Sequence, residues 1–575
     1  MASINTILDI GRWSLHAQQM GVSVTAHNIA NVNTPGYSRQ ILILEPAKPQ
    51  DSSPGQLGRG VRPVSIERVY DHFLATQLRR ELGTQGNLST QASYFRQLEA
   101  IYSGLSDSDL GAQFQNFWSA WEELSLHPEG SAQKVALKET ALELTSRLNG
   151  LHSKLVSLRD QLNRSLAISV QRVNELTSQI AELNLQIARS KGSGQNPNDL
   201  KDMRDKALDE LAGLLNVDFW EADDGTMWVM GPGGMALVMG TNRWELEVKK
   251  TSPGIQDVLW TDSHGNEVMM TDHISSGSMA GILEMRDRVV LREMDRLDSL
   301  ARELIWEVNT RVSRGAPLSP LSSLKAEVQI EDPNAPLFSS NLPYAERLKE
   351  GTLTIWLYDS SSPPNPVGKI EVQVDSSTTL GDIVGQINAS PENGGKLVAE
   401  ISQGFLRLDS ANGYGFLIGE DTSSVCAFLG LNVFFRGSSA TDISVSQHIQ
   451  GDPSKLGAAW VDPLDGTFSP GDNRVVLDVL DLRDSPLAAL QGHTFEGMWA
   501  SAVAGVGVEA AASYRTSDYQ DAVVAQLEEQ RASVSGVNLD EEMVKLLEYQ
   551  WAYQAAARLI QTSREMLQTV MSILE

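Results

Sequence analysis

Residues 4–37 read INTILDIGRWSLHAQQMGVSVTAHNIANVNTPGY, and this stretch determines how the rest of the chain is arranged. Apolar residues, with small or polar breaks, recur in it at alternating steps of four and three, which is the spacing of a coiled-coil seam. The seam positions are Ile4, Leu8, Gly11, Leu15, Gln18, Val22, Thr25 and Ile29. Because Pro35 disfavours helix at the residue before it and Gly36 permits a tight turn, we expect the helix to end near Asn31.

The C-terminal end of the chain repeats this spacing almost to the last residue. Its seam positions are Met543, Leu546, Gln550, Tyr553, Ala557, Ile560, Arg564, Leu567, Met571 and Leu574. Two helices with matching seams at opposite ends of one chain predict that the termini pair with each other. An ordinary pair of domain helices would show the same periodicity, so the spacing alone leaves both interpretations open.

The composition excludes several classes of partner. A chain of 575 residues is too long for one hydrophobic core, so we expect about two to four domains. The formal charge of −27 argues against nucleic acid or an anionic membrane as the main partner.

No apolar run approaches the ~20 residues of a membrane-spanning helix, and the N-terminus lacks the basic region and cleavage site of a signal peptide. Cys426 lies in an apolar run and is expected to be a buried hydrophobe.

Between the terminal helices the pattern predicts a bundle of long helices with a small sheet. A seam of leucine and isoleucine at 144–187 predicts a helix of about 50 residues, and another long helix is expected at 277–314. Alternating segments at 216–271 predict a small antiparallel sheet. An aromatic stripe at helical spacing predicts core packing and not base stacking, because no basic residues interleave with it. The stripe consists of Phe114, Phe117, Trp118 and Trp121.

The composition changes at Gly315, where segments rich in proline and serine begin. Residues 351–450 combine alternating strands with one short capped helix, which indicates an inserted domain of mixed α/β or mainly β type. The predicted fold class is therefore mainly α with β insertions. We expect a terminal helical domain (1–40 with 538–575), a long-helix bundle domain with a small β-sheet (41–315 with 471–537) and an inserted domain (316–470).

The sequence offers no constellation of residues for catalysis. It contains no P-loop, no G-x-S-x-G and no H-E-x-x-H, and its histidines are not at metal-ligand spacing. GPGG at 231–234 lies between two strand-like segments and is expected to form a hairpin turn. Asp540, Glu541 and Glu542 begin the last helix, where acidic residues favour the helix dipole, so we interpret them as structural. We expect no catalytic residue, no cofactor and no metal site.

Three segments resemble a known protein family. Residues 28–40, NIANVNTPGYSRQ, are similar to a motif shared by bacterial flagellar rod, hook and hook-associated proteins. Residues 534–560, VSGVNLDEEMVKLLEYQWAYQAAARLI, resemble the matching C-terminal motif of that family. NDLKDMRDKALDEL at 198–211 resembles a recurring family segment. The two terminal motifs occur in the expected order, and most of the chain is similar to hook-associated proteins of the hook–filament junction.

The resemblance implies a structural protein of the flagellum that joins hook to filament. It implies export by the flagellar type III pathway without a cleaved signal peptide, and a location outside the cell at the distal end of the hook. Polymerisation through the terminal helices would give a ring of about eleven subunits, with the inserted domain facing outward. The implied partners are further copies of the chain, the hook protein, a second hook-associated junction protein and a cytoplasmic export chaperone at the C-terminal helix, with no nucleic acid and no membrane insertion.

The residues expected to contact subunits or partners belong to the two seams and to the turn after the first helix. They are Ile4, Leu8, Leu15, Val22, Ile29, Asn31, Pro35, Gly36, Tyr37, Met543, Leu546, Tyr553, Ile560, Leu567, Met571 and Leu574. Another axial protein (hook, rod or second junction protein) is an alternative, although the long helix and the C-terminal match argue against rod and hook proteins. A scaffold carrying a wall hydrolase is less favoured, because residues 351–450 show no catalytic spacing.

Overall fold

The computed structural model describes residues 2–52, 55–103 and 109–574. The chain divides into two compact units, one comprising Met1–Tyr94, Asp160–Arg286 and Ala511–Glu575, and the other comprising Phe95–Arg159 and Asp287–Ala510. Long helices dominate, and the strands form small antiparallel sheets. This confirms the fold class of mainly α with β insertions, while the division into three domains stays a prediction.

The helices of the described residues are, in chain order, α1 (Ala2–Ala30), α2 (His72–Tyr102), α3 (Leu110–Leu126), α4 (Ser131–Gly192), α5 (Asn198–Leu214), α6 (Gly277–Leu283), α7 (Leu291–Val312), α8 (Leu380–Ala389), α9 (Val425–Leu429), α10 (Gln447–Gly451), α11 (Arg474–Leu480), α12 (Phe495–Ser535) and α13 (Leu539–Leu574).

The strands of the same residues are β1 (Gln40–Pro46), β2 (Gln50–Ser52), β3 (Gly55–Leu57), β4 (Val61–Arg68), β5 (Asp218–Glu221), β6 (Met227–Met230), β7 (Ala236–Met239), β8 (Asn242–Arg243), β9 (Leu246–Ser252), β10 (Ile255–Thr261), β11 (Glu267–Met269), β12 (Gly315–Ala316), β13 (Ser323–Lys325), β14 (Gly351–Asp359), β15 (Pro366–Val374), β16 (Leu397–Ser402), β17 (Phe405–Ser410), β18 (Tyr414–Asp421), β19 (Phe435–Arg436), β20 (Ser444–Val445) and β21 (Ala459–Trp460).

The helix boundaries agree with most expectations and differ at three places. Helix α1 ends at Ala30, as the proline and glycine of the following turn predict. Helix α4 has 62 residues and so exceeds the expected length. The long helix predicted at 277–314 is interrupted by a π-helical turn, Glu284–Val290, between α6 and α7. The sequence at 198–199 predicts that Asn198 or Asp199 caps α5, because asparagine and aspartate are common N-caps. Neither does so, and both side chains bond to Gln40 instead.

In the unit that contains both termini, α1 and α13 lie side by side and antiparallel. Helix α1 also packs on the antiparallel pair β1 and β4, in which Gln40 lies opposite Arg68. Helices α2 and α12 pack through Leu78, Val524 and Leu527. The strands expected at 216–271 form two antiparallel sheets, β5-β6-β7-β8 and β11-β10-β9, with Pro232–Gly234 as the expected turn between β6 and β7.

The other unit is built around an aromatic core. Its four predicted core residues are each at most 1% exposed: Phe114, Phe117, Trp118 and Trp121. They pack against Phe434, Phe435 and Phe495, with 5.4 Å between the ring centroids of Trp121 and Phe434. This confirms core packing as the role of the stripe.

Two three-stranded antiparallel sheets, β15-β14-β18 and β13-β17-β16, complete that unit. Helix α8 packs on β15 and β16, and Thr379 with Asp382 forms a capping box at its start. Cys426 is buried, as expected. Among the described residues, no helix has the length and apolar character that crossing a membrane requires.

We expect Phe117→Ala to destabilise the protein by about 3–5 kcal/mol, because it removes a buried ring and leaves a cavity. Leu126→Ala on the same helix is the matched control. Leu126 is 67% exposed, so its truncation should change the free energy of unfolding by less than about 0.5 kcal/mol. Chemical denaturation followed by tryptophan fluorescence measures both variants. Equal effects would contradict the assignment of α3 to the core.

Candidate functional site

The contact between α1 and α13 depends on two glycines of α1. A Cβ atom added at Gly11 would lie 2.6 Å from Cγ1 of Ile560, and one added at Gly21 would lie 2.6 Å from Cε1 of Tyr549. Each glycine therefore leaves space that a side chain of α13 fills. Since any larger residue would push the helices apart, these glycines allow the two terminal helices to approach closely.

The face that α13 buries differs from the seam that the spacing predicts. Its most buried positions are Glu542, Ala556 and Ser563, at 1%, 7% and 2% exposure. They lie one residue before the seam positions Met543, Ala557 and Arg564, which are exposed. A shift of one residue is a rotation of about 100° on a helix. The fully buried positions of α13 are therefore small or polar, Tyr549 and Ile560 beside the glycines are half-buried, and many of the other large apolar side chains face solvent.

The predicted contact residues divide accordingly into half-buried and exposed groups. Those half-buried are Ile4, Leu8, Leu15, Val22, Ile29, Asn31, Tyr37, Leu546 and Ile560. Those exposed are Pro35, Gly36, Met543, Tyr553, Leu567 and Met571. The side chain of Leu574 lies outside the described residues. Their role in contacts between subunits stays a prediction.

Asn28, at the C-terminal end of α1, connects the two termini through hydrogen bonds. Its Nδ2 donates to Glu542 Oε2 at 2.8 Å and to the Gln40 carbonyl at 2.9 Å. Its Oδ1 accepts from the Tyr37 hydroxyl at 2.7 Å and from the Gln40 N–H at 2.9 Å. Burial and nearby carboxylates raise the pKa of Tyr37, so its hydroxyl is a donor at neutral pH. The conformation of the turn and the position of α13 therefore depend on one buried amide.

Four aspartates on one face of α5, here named the acidic column, hold the segment that follows this turn. The column consists of Asp199, Asp202, Asp205 and Asp209. Asp202 accepts hydrogen bonds from both the N–H and the hydroxyl of Ser38, each at 2.8 Å. Asp199 accepts a bond of 2.6 Å from Gln40 Nε2. The sequence segment 198–211 thus binds the N-terminal motif directly.

Arginines from three other elements bind the acidic column. Arg68, at the end of β4, lies 2.8 Å from Asp202 and 2.6 Å from Asp205. Arg79 of α2 lies 3.0 Å from Asp205 and 2.7 Å from Asp209. Arg531 of α12 lies 2.8 Å from Asp209. Through these contacts α5 joins the strand pair β1 and β4 to helices α2 and α12.

The two most buried aspartates of the column have opposite pKa shifts. Burial alone would raise the pKa of Asp205, but the guanidinium groups of Arg68, Arg79 and Arg204 outweigh it and hold this pKa below its ordinary value. For Asp202 burial is the larger effect and raises the pKa, although Arg68 opposes it. Asp205 is therefore the carboxylate that favours the folded state by being ionised.

Sequence reasoning did not identify the residues that make these contacts. Asn28 and Ser38 lie within the quoted motif but outside the predicted contact residues, and Glu542 was interpreted as an N-terminal helix charge. An acidic residue that lies on the same helical face as Ala556 and Ser563 was the available signal, because a buried carboxylate requires a partner. Among the described residues, no group of three or more His, Cys, Asp or Glu side chains is placed to hold a metal ion.

We expect Asp205→Ala to cost about 3 kcal/mol or more, because it removes a carboxylate shared by two buried guanidinium groups. Its contribution is present above the ordinary aspartate pKa of 3.8 and is lost as the pH falls through the folded-state pKa, so the variant should also lose part of the acid sensitivity. Glu210→Ala is the control on α5, since Glu210 pairs with Arg172 at the surface and should contribute less than about 1 kcal/mol. Denaturation curves at pH 7 and pH 3 measure the free energy of unfolding of both variants. Equal losses in the two variants at both pH values would contradict the role of Asp205.

Three family models match separate parts of the chain. Residues 95–320 match the flagellar hook-associated protein FlgK helical domain. Residues 528–573 match the flagellar basal body rod FlgEFG protein C-terminal model, and residues 8–37 match the flagella basal body rod protein model. The two rod models therefore cover most of α1 and α13 and the turn that follows α1.

Several relatives are similar over nearly the full length. Flagellar hook-associated protein 1 of Salmonella typhimurium is 27% identical over 577 residues, which cover 99% of this chain and 100% of that protein. The protein of the same name from Escherichia coli is 26% identical over 588 residues, with 99% and 100% covered. The Bacillus subtilis protein of that name is 29% identical over 282 residues, 48% of this chain and 56% of its own length.

A solved structure shares the fold. The flagellar hook junction protein FlgK from Burkholderia pseudomallei aligns with a TM-score of 0.53 at 16% identity, covering 80% of this chain and 100% of that one. The helical-domain match and the end-to-end similarity lead to one conclusion: over nearly its full length the chain is similar to the FlgK family of flagellar hook-associated proteins.

Proposed function

We propose that this protein is a structural component of the bacterial flagellum that joins the hook to the filament. The observation that carries the proposal is the outer stripe of α13, the large apolar side chains that this helix leaves exposed. The outer stripe consists of Leu539, Met543, Val544, Leu547, Trp551, Tyr553, Leu559, Met566, Leu567, Val570 and Met571. An exposed apolar surface of this extent is typical of a protein interface, so neighbouring subunits would cover it.

Assembly would proceed between copies of the chain through their terminal helices. A contact between different faces of identical subunits closes into a ring or continues as a helix, and the family resemblance favours a ring of about eleven. Hook protein would lie on one side of this ring and a second hook-associated junction protein on the other. The matches of rod-protein models to both ends support this shared mode of axial assembly.

The protein would reach the distal end of the hook by flagellar type III export without a cleaved signal peptide. We propose that a cytoplasmic chaperone holds α13 before export. Leu546 and Ile560 are half-buried in the folded chain, so the chaperone would bind α13 before it pairs with α1, whereas Leu567 is exposed in either state.

We expect a peptide of residues 539–574 to bind that chaperone with at least about tenfold higher affinity than the same peptide with Leu546→Asp and Ile560→Asp, because both changes place a charge in an apolar contact. Isothermal titration with the chaperone from the same organism measures the difference. The control peptide carries Gln550→Asp and Gln554→Asp, two exposed polar positions. Equal binding by all three peptides would argue against this contact.

We expect Met543→Glu with Trp551→Glu to abolish junction assembly without unfolding the chain, because both side chains are exposed and belong to the outer stripe. The test complements a strain lacking the gene and counts filaments on hooks by electron microscopy. The expected phenotype is hooks without filaments, with filament protein lost to the medium.

Tyr519→Glu on α12 is the matched control for this experiment. Tyr519 is 70% exposed, against 66% for Trp551, but it lies outside the outer stripe. It should therefore support normal filaments. Normal filaments in the double variant, or assembly by a chain that lacks about thirty residues from either end, would contradict the proposed mode of assembly.

A further inference from the structure

The fully buried residues of the contact between α1 and α13 are small or polar, while Ile560 and Tyr549, which fill the spaces beside the glycines, are half-buried. On α1 the contact includes Gly11 and Gly21, and on α13 it includes Ala556 and Ser563. A slip of one heptad would place Leu567 opposite Gly11 and Ala556 opposite Gly21, and neither residue is larger than the present one, so steric packing alone specifies the register weakly. Some other interaction must select one alignment.

Three contacts share one antiparallel alignment. Gly11 faces Ile560, Gly21 faces Tyr549, and Asn28 bonds to Glu542. The α1 members are separated by ten and seven residues, and the α13 members by eleven and seven. The first two contacts are steric and would also accept the residues one heptad further along α13, whereas the third is a directional hydrogen bond between buried groups.

Asn28 makes every hydrogen bond that its side chain allows. An amide offers two donors and two acceptor lone pairs, and all four are used, two of them by Gln40 and one each by Tyr37 and Glu542. Three of these bonds lie within the N-terminal segment and orient the amide. The fourth is therefore a fixed N–H that points at α13.

Glu542 is the matching group on α13. Its side chain is 1% exposed, with one oxygen accepting from Asn28 and the other accepting from Lys545 at 2.9 Å. In a slipped alignment both Asn28 and Glu542 would stay buried and lose this partner, which is unfavourable for an amide and more so for a carboxylate. Apolar side chains at either position could not impose this penalty.

We infer that Asn28 and Glu542, here named the register pair, determine which stretch of α13 pairs with α1. The outer stripe lies on the same helix, so the register pair also determines the position of the stripe along the axis of α1. This goes beyond a role in stability, because it predicts a change of alignment and not merely a loss of structure when the pair is broken.

The test measures the alignment in the full-length chain at a concentration where it is monomeric. Spin labels are attached at Ser23→Cys on α1 and Gln561→Cys on α13, both exposed positions, while Cys426 is buried. With the pair intact we expect one narrow distance distribution. In Asn28→Ala and in Glu542→Ala we expect a second maximum displaced by about 10 Å, since a heptad slip moves seven residues at the helical rise. Circular dichroism should show unchanged helix content.

Two controls separate register from general stability. Ser563→Ala removes a buried hydroxyl of α13 that bonds only to the Leu559 carbonyl of its own helix, so it should keep the original distance. Glu542→Gln retains an oxygen that can accept from Asn28 and should also keep it. An unchanged distribution in both alanine variants would overturn the inference, and so would a broad distribution with lost helicity, because the pair would then act on stability alone. The readout does not require assembly, so it is independent of the proposed function.

Discussion

A carboxylate that folding removes from water must find positive partners, and α5 places Asp202 and Asp205 in this position. Their partner Arg68 comes from a segment more than one hundred residues away in the sequence, as does Arg79, which binds Asp205. Because breaking a buried ion pair is costly, the elements that supply these groups are held to α5. The N-terminal motif joins the same column through Ser38. The terminal helix pair is thus fixed at one end to the rest of its unit.

Helix α13 reverses the usual distribution of side chains on an amphipathic helix. In most soluble proteins the apolar side faces the core and the polar side faces water. Here the intrachain contact uses a carboxylate, an alanine and a hydroxyl, while tryptophan, methionine and leucine side chains lie outside. The exceptions are Ile560 and Tyr549, which are half-buried because the glycines of α1 leave space for them. A single chain therefore buries the polar and small side chains of α13. It leaves exposed the large apolar side chains, which would gain most from burial between copies.

The sequence predicted the elements well and their rotations and partners less well. Periodicity identified the terminal helices and the aromatic core, because helical spacing and bulky aromatics are strong local signals. It misplaced the buried face of α13 by one residue. Steps of three and four residues describe the line through Met543 and the neighbouring line through Glu542 equally well, so the spacing does not show which line is buried. It did not anticipate that Asp205 would bind Arg68 or that Glu542 would bind Asn28, because nothing local indicates a partner so distant in the chain. For the same reason Asn198 or Asp199 was expected to cap α5, although both side chains bond to Gln40, which is more than 150 residues away in the sequence.

The hydrogen bond between Asn28 and Glu542 joins positions that are 514 residues apart in the sequence. Gly11 and Gly21 impose a similar dependence, since each leaves space for a side chain more than 500 residues away in the sequence. Recombination that exchanges only the 5′ or only the 3′ part of the coding sequence with a divergent relative would therefore combine helices that do not match. Segments that contact neither terminal helix are under no such restriction. Inheritance of the paired segments as one unit, with freer replacement of segments that do not contact them, is the evolutionary consequence of this pairing.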